Sequence, residues 1–440
     1  MDTLLAKLRK KVDQAEVYQL HTRAVPIEFR AGKLESVKSK ESEGQALRVI
    51  KSGRLGFSTT TDVTNPSELV KAAVAAMAFG EKVDFAFPAQ GKGLSPEVFD
   101  RRVAEVSEDR LIEIGEKVIG ELQETDPEIA VNLTVVKQLE TSSIANTLGL
   151  RVEEERTQIS VSVEIEKARA DDIFMLGDVT QARYLDDLNL DGMAARVIRH
   201  LRFGARVVPV PSKKLPVVFT PNGAITLLLP LVFGLNGKSV HMGISPLKGR
   251  VGETVLDPRF SIADDATLSR GVRSSGFDDE GMSASKNPLV GGGVLRGFLY
   301  DLQTAASVGT QSTGNGYRAR GFRSPPDVGT SHLCVGEGEI SWEKMIAEIK
   351  EGLLVDFVLG LGQGNISSGE FSNNVAVAFK IEGGKVVGRV KDTMIAGNVY
   401  DLLKNHLIAV GDRPQWANVR LALHTPPIAV DAVSVVSRGV

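Results

Sequence analysis

The chain has 440 residues, 42% hydrophobic and 24% charged, with a formal net charge of -3. This is ordinary globular composition, enough for about two or three domains with a sizeable core, and it excludes a fibrous or disordered chain. The near-balance of charge, with no basic stripe, weighs against a nucleic-acid binder.

In chain order, Leu4, Leu5, Leu8 and Val12 recur at helical spacing and open the chain with an amphipathic helix. Lys7, Arg9, Lys10 and Lys11 give it a solvated face. Ala15 to Tyr18, Val25 to Phe29, Leu34 to Val37 and Gln45 to Ile50 then read as successive short strands of an antiparallel meander. Gly32, Gly44 and Gly53 are expected to form its turns. Asn65-Pro66 starts a helix lined by Leu69, Ala72, Ala73 and Ala76. Residues 81–105 read as loop. Ser107 caps a helix to about Leu122. Strands follow over Ile129 to Val136 and Leu150 to Ile165, joined by the turn Asn146-Thr147-Leu148-Gly149, and a helix near Gly192 to Leu201 closes this half. The proline-marked segment 207–212 is the expected boundary between an N-terminal domain, 1–206, and a C-terminal domain, 207–440.

The second half is richer in glycine and strands. Phe371 to Ile381, Gly383-Gly384 and Lys385 to Val390 form a hairpin signature. Short helices are expected at 302–308, 341–350 and 398–406. The fold class is therefore α+β: antiparallel strands with packed helices first, then a mainly-β domain with a few short helices. The longest apolar run, 224–235, is broken by Thr226, Pro230 and Gly234 and is shorter than the ~20 residues of a membrane span. The N-terminus has no apolar core of a secretory signal. The single cysteine, Cys334, precludes an intrachain disulfide and suits a reducing compartment. The expected location is the cytoplasm, with no membrane partner.

No string of residues carries recognisable catalytic chemistry. The six histidines, His21, His200, His241, His332, His406 and His424, are too far apart to share a helical turn, and no HExxH or HExxxH occurs. They are expected to be separate surface or partly buried imidazoles. There is no GxSxG. Ser245/Lys248, Ser283/Lys286 and Ser341/Lys344 are SxxK strings without companion motifs. His332 and Cys334 share a strand face, but nothing orients a base, so Cys334 is expected to be a buried, inert thiol. Gly237-Lys238-Ser239 lacks the upstream glycine of a phosphate loop, because that position is Val232. Gly360-Leu361-Gly362-Gln363-Gly364 ends in Asn365 where a dinucleotide fingerprint needs glycine. Both read as turns. The carboxylates Asp264/Asp265 and Asp278/Asp279/Glu280 are expected to be solvated.

Several strings, taken in order, resemble a known family. They are Ala15-Glu16-Val17-Tyr18, Gly32 to Val37, Leu47 to Ile50, Gly53 to Phe57, Asn146 to Gly149, Gly276 to Gly281, Gly360 to Asn365, Gly369 to Asn373 and Thr393 to Asn398. Together they resemble the TldD/PmbA family, once labelled modulators of DNA gyrase, across residues 10–436. The TldD branch of that family carries HExxxH on a helix opening the second domain and a cysteine near the C-terminus. The corresponding stretch here is Pro221-Asn222-Gly223-Ala224-Ile225-Thr226-Leu227, with no histidine, glutamate or cysteine, and no cysteine follows Cys334. The chain thus looks like the PmbA/TldE branch. The resemblance implies a non-catalytic subunit without a metal of its own. It would be paired with a TldD-type subunit that carries HExxxH and zinc, in a peptidase acting on unfolded or precursor peptides.

An extended peptide can add to a sheet edge through main-chain hydrogen bonds. Gly360, Gly362, Gln363, Gly364, Asn365, Ser372 and Asn373 are the expected peptide- or partner-facing residues, against turn chemistry as the alternative. Two competing functions stay open: a stand-alone homodimer that binds peptides without cutting them, and a peptidase with an unconventional site using scattered His, Asp or Cys334.

Overall fold

The computed structural model describes residues 1–90, 95–169, 172–417 and 421–438, so 91–94 of the expected 81–105 loop lie outside the described residues. The chain is α+β, with a mainly-β C-terminal half. In the N-terminal half, seven strands build one antiparallel sheet: β1 (Gln14–Arg30), β2 (Lys33–Val37), β3 (Lys40–Lys51), β4 (Arg54–Thr60), β5 (Ala130–Asn146), β6 (Arg151–Arg169) and β7 (Asp172–Ala182). Their order is β4-β3-β1-β5-β6-β7, with β2 also on β1.

Several expected boundaries move. The two strands anticipated over Ala15–Phe29 are one 17-residue strand that runs through Pro26. Pairing on that side passes from β3, ending at Ala24 opposite Lys40, to β2, starting at Ile27 opposite Val37; at this junction Pro26 only accepts, its carbonyl taking the Lys38 N–H at 3.1 Å. Gly44 is not a turn but lies inside β3, opposite Leu20. The Phe322 ring packs on it so closely that a Cβ would fall 2.3 Å from the ring. β7 was not anticipated. Its residues Phe174 and Leu176 are buried while Ile173 and Met175 are exposed, which blurs the usual alternation of apolar and polar side chains. Within the loop expected at 81–105, Asp100 caps a short helix, Arg101–Glu105. The basic residues Arg9, Lys10 and Lys11 follow the first helix, Asp2–Leu8, rather than lying on it.

Capping chemistry places the other helices of this half. Asn65 accepts from the Ser67 N–H before Pro66–Ala76, Ser107 from Arg110 before Glu108–Thr125, and Asn189 from Gly192 before Leu190–Phe203. The last two pack on one sheet face through Leu111, Val118, Leu122, Met193 and Val197.

In the C-terminal half, Lys214–Phe219 pairs parallel with Glu351–Leu359 and antiparallel with Ile428–Ser437. Thr393–Asn398 and Glu370–Glu382 continue the sheet, and Glu370–Glu382 pairs back onto Glu351–Leu359, closing the ring. The expected hairpin Glu370–Glu382/Lys385–Arg389 is present, with Gly383 and Gly384 at φ 56 and 75°. A second, six-stranded sheet contains Ile262–Asp265 and His332–Val335. The expected short helices are Leu302–Ser307, Trp342–Ala347 and Val399–Asn405.

The broken apolar run is a helix, Ile225–Leu235, with Pro230 inside it. Ile225, Leu227, Leu228, Leu231 and Leu235 are all buried, and only the face of Leu229, Val232 and Phe233 is half-buried, so core surrounds most of the helix. No helix among the described residues is long and apolar enough to cross a membrane.

The two halves share one interior. Val218, Leu354, Phe379 and Ala429 lie in the same apolar cluster as Ile27, Phe29 and Leu133. Segment 207–212 is extended but docked: the Val208 N–H donates to Arg389 O, and Val210 is buried. Buried ions also join the halves. Arg48 grips both Glu16 oxygens (2.9 and 2.8 Å) and reaches Glu280 at 2.7 Å, while Arg318 adds a bond to Glu16 at 3.2 Å.

Candidate functional site

The geometry is set where Lys214–Phe219 ends. Parallel pairing of Phe219 with Val355 brings Thr220 beside Asp356. The Thr220 hydroxyl donates to Asp356 Oδ1 at 2.6 Å and accepts from the Gly223 N–H at 3.1 Å, and Ala224 N–H donates to Thr220 O. The chain thereby turns directly into the buried helix. Glycine is required at 223, where a Cβ would lie 2.2 Å from Val355 O.

A cavity of about 170 Å³ opens at this turn. Thr220, Pro221, Asn222 and Asp356 form its floor, and Arg196 and Arg199 enter from helix Leu190–Phe203. Trp342 and Trp416, the only two tryptophans of the chain, both line it. Arg196 is held by Asp178 through two bonds, 2.7 and 3.3 Å. Burial raises the Asp178 carboxyl above its ordinary value, against the pull of Arg196. The Arg199 guanidinium stacks 5.2 Å over Trp342, and its buried Nε has no hydrogen-bond partner. Burial lowers its basicity, and Asp356 acts in the opposite direction. His200, one residue on, is buried, with Nδ1 3.6 Å from Asp356 Oδ2 and Nε2 unpartnered.

Three positive and three negative side chains face this space: Arg196, Arg199 and Arg413 against Asp356, Glu343 and Asp412. Among the described residues lining this space, the only hydroxyl hydrogen-bonded to an acid is that of Thr220, and no imidazole bonds to it. The arrangement suits binding of a polar group beside aromatic surface.

The residues anticipated from sequence lie elsewhere. None of Gly360, Gly362, Gln363, Gly364, Asn365, Ser372 or Asn373 lines the cavity. The three glycines adopt φ of 67, 95 and 100°, and Gln363 N–H donates to Gly360 O. Asn373 is buried and its amide donates to Leu359 O and Gly360 O, at 3.0 and 2.7 Å. Ser372 contacts Met394 Sδ. These residues are brought together as one loop-and-hairpin unit.

The acidic runs expected in solvent are instead interior. Asp264, Asp265, Asp278 and Glu280 are buried, and each organises backbone or side-chain donors. Asp264 accepts from Asn315 (2.7 Å) and from Ser331 N–H and Oγ–H (2.8 and 3.0 Å), and burial raises its carboxyl to about 7. Asp278 accepts from the Gly316 and Met282 N–H groups. Two of the histidines are also interior, His200 and His332. His332 accepts from Arg273 N–H and faces Asp265 O, with burial driving its imidazole down to about 4. Cys334 is half-buried with its thiol pushed up to about 12 by desolvation, which is inert chemistry. Ser341 and Lys344 are no catalytic pair: Ser341 caps the helix Trp342–Ala347. Asn236 likewise caps the short helix Gly237–His241, and Lys238 pairs with Asp327.

Comparison with known proteins now decides the family. The model of the PmbA/TldA metallopeptidase C-terminal domain matches residues 212–437. The chain belongs to the PmbA/TldD family. The family's domain 1 and central domain match residues 15–78 and 101–202. The crystal structure of TldE from Thermococcus kodakarensis superposes with a TM-score of 0.90 at 26% identity, covering 99% of this chain and 100% of that one. Metalloprotease PmbA of Escherichia coli O157:H7 is 25% identical over 426 residues, 94% of this chain and 90% of its own length. A metalloprotease TldD homolog of Haemophilus influenzae is 30% identical over 213 residues, 48% of this chain and 44% of its own.

A metal is implied by the family, so the donor set is the relevant test. Stretch 221–227 presents the Asn222 amide to the cavity and the buried, unpartnered Thr226 hydroxyl to the interior. Among the described residues no group of three His, Cys, Asp or Glu is placed to hold an ion. Zinc needs three or four such ligands, so the described residues do not fit it.

Proposed function

We propose that this chain is the non-catalytic, TldE/PmbA-like subunit of a TldD/TldE-type cytoplasmic metallopeptidase that degrades unfolded peptides or processes precursor peptides. Zinc and the HExxxH helix belong to a TldD-type partner. The observation that carries this reading is that stretch 221–227, which resembles the start of the family's metal helix, contains no histidine, glutamate or cysteine. A metallopeptidase acidifies its attacking water on a bound metal ion, and the side chains of this stretch offer no imidazole, carboxylate or thiolate to hold one. What this chain contributes is a surface for substrate. The loop Gly360–Asn365 with Ser372 and Asn373 is its peptide- or partner-facing element in this reading.

The test is reconstitution. The purified chain is mixed with a TldD-type chain carrying HExxxH and followed by size exclusion and by cleavage of an unstructured peptide. A shared peak and chelator-sensitive cleavage only in the mixture are expected. Cleavage by this chain alone would contradict the proposal, and a stable homodimer that ignores the partner would favour a stand-alone peptide binder.

A further inference from the structure

We propose that the cavity at Thr220–Asn222 binds the C-terminal carboxylate of an extended peptide, with the terminal side chain against Trp342 and Trp416. This deepens the reading of the chain as a peptide-binding subunit and rests on it. Of the arginines lining the cavity, Arg196 is committed to Asp178 and Arg413 is exposed. Arg199 has neither a side-chain hydrogen bond nor an ion pair among the described residues, and, unlike the exposed Arg413, its Nε–H is buried without an acceptor. A buried donor of this kind is costly unless something supplies the missing oxygen. The stack on Trp342 fixes the guanidinium plane, which prepares its forked N–H groups for a planar carboxylate.

The nearest acid, Asp356, is occupied by the Thr220 hydroxyl and faces His200. Glu343 and Asp412 line the same space as Arg413. With acids and arginines equal in number around it, the cavity disfavours a dianionic phosphate more than a singly charged carboxylate. Its volume of about 170 Å³ suits the last residue of a chain. The amide and hydroxyl groups of Asn222, Gln415 and Ser341 around it can bond to a peptide main chain, and two indoles offer flat apolar surface for the final side chain.

Because both tryptophans of the chain line this cavity, their fluorescence reports binding here, and calorimetry checks it because Trp416 also lines a neighbouring cavity. The full chain is titrated with N-acetyl-alanyl-phenylalanine and with the same dipeptide as its C-terminal amide, by fluorescence and by calorimetry. The acid is expected to bind roughly tenfold to a hundredfold tighter than the amide, the factor of a charge-assisted hydrogen-bonded pair. Arg199→Met, which keeps the stem over Trp342, is expected to abolish that preference, and inorganic phosphate is expected not to compete. Equal affinity for acid and amide on the unaltered chain overturns the proposal, as does absence of binding of both in both measurements. A retained preference in folded Arg199→Met, or efficient competition by phosphate, also overturns it. No partner subunit is present, so these outcomes are separate from the failure of reconstitution that would sink the subunit reading.

Discussion

Replacing Arg48 by methionine removes the central cation that joins the two halves of the molecule. Arg48 is 3% exposed and lies 5.0 Å over the Phe87 ring, so methionine keeps much of the packing while deleting the charge. Glu16 keeps Arg318, but Glu280 keeps only the Leu302 N–H, at 2.7 Å. Asp278 is also nearby, and burial together with Glu280 already holds the Asp278 carboxyl well above its usual range. Breaking one side of a buried ion pair costs about 3–5 kcal/mol. For a chain of 440 residues that corresponds to a fall in Tm of roughly 3–5 °C.

The loss has a pH signature. Burial already raises the Glu280 carboxyl and Arg48 opposes this, so removing Arg48 raises the folded-state value further. A raised folded-state carboxyl contributes stability below its unfolded value, and that contribution is lost as pH rises through the folded value. The defect of Arg48→Met should therefore grow from pH 5 to pH 8. Adding Glu280→Gln should recover part of it at pH 8. Urea unfolding of the single and double variants at both pH values measures this. A loss below about 1 kcal/mol at pH 8 refutes the reasoning, and so does strict additivity of the two substitutions.

Asp264→Asn should gain stability relative to the native chain as pH rises from about 4 to about 7, because over that window the folded carboxyl, raised to about 7, holds its proton while the unfolded chain's ionises and is favoured; midpoints of urea unfolding at pH 4.5 and 7.5 check the sign. Cys334 should resist iodoacetamide at pH 8 in the folded chain and react fully in guanidinium, since desolvation holds its thiol near about 12; mass spectrometry decides, and rapid native labelling contradicts the assignment. Gly223→Ala should destabilise by about 1–3 kcal/mol, because the new methyl meets a strand carbonyl that cannot move away; an unchanged unfolding midpoint would show that the turn relaxes.

Local signals in the sequence located elements whose cause is local. Asn65-Pro66 and Ser107 cap their helices with side chains a few residues away, and Gly383-Gly384 turns its hairpin through positive φ. What escaped notice depends on distant partners. Gly44 looks like a turn until Phe322 is placed on it, and Pro26 looks like a strand end until the change of pairing on β1 is known. The acids at 264–265 and 278–280 look solvated because their donors, Ser331, Asn315, Gly316 and Arg48, are remote in sequence. The cavity was illegible for the same reason. Arg199, Thr220, Trp342, Asp356 and Trp416 come from five separate elements or loops, and no spacing joins them. The ordered family strings and the missing metal ligands at 221–227, by contrast, are visible in the bare sequence.

Metal content tests the central claim most directly. The untagged chain is equilibrated with zinc, desalted and assayed by mass spectrometry, alone and beside an HExxxH-bearing TldD-type chain. The account predicts that zinc is retained by the partner and is substoichiometric in this chain. One tightly held ion per copy of this chain, released together with peptide cleavage by a chelator, would contradict it.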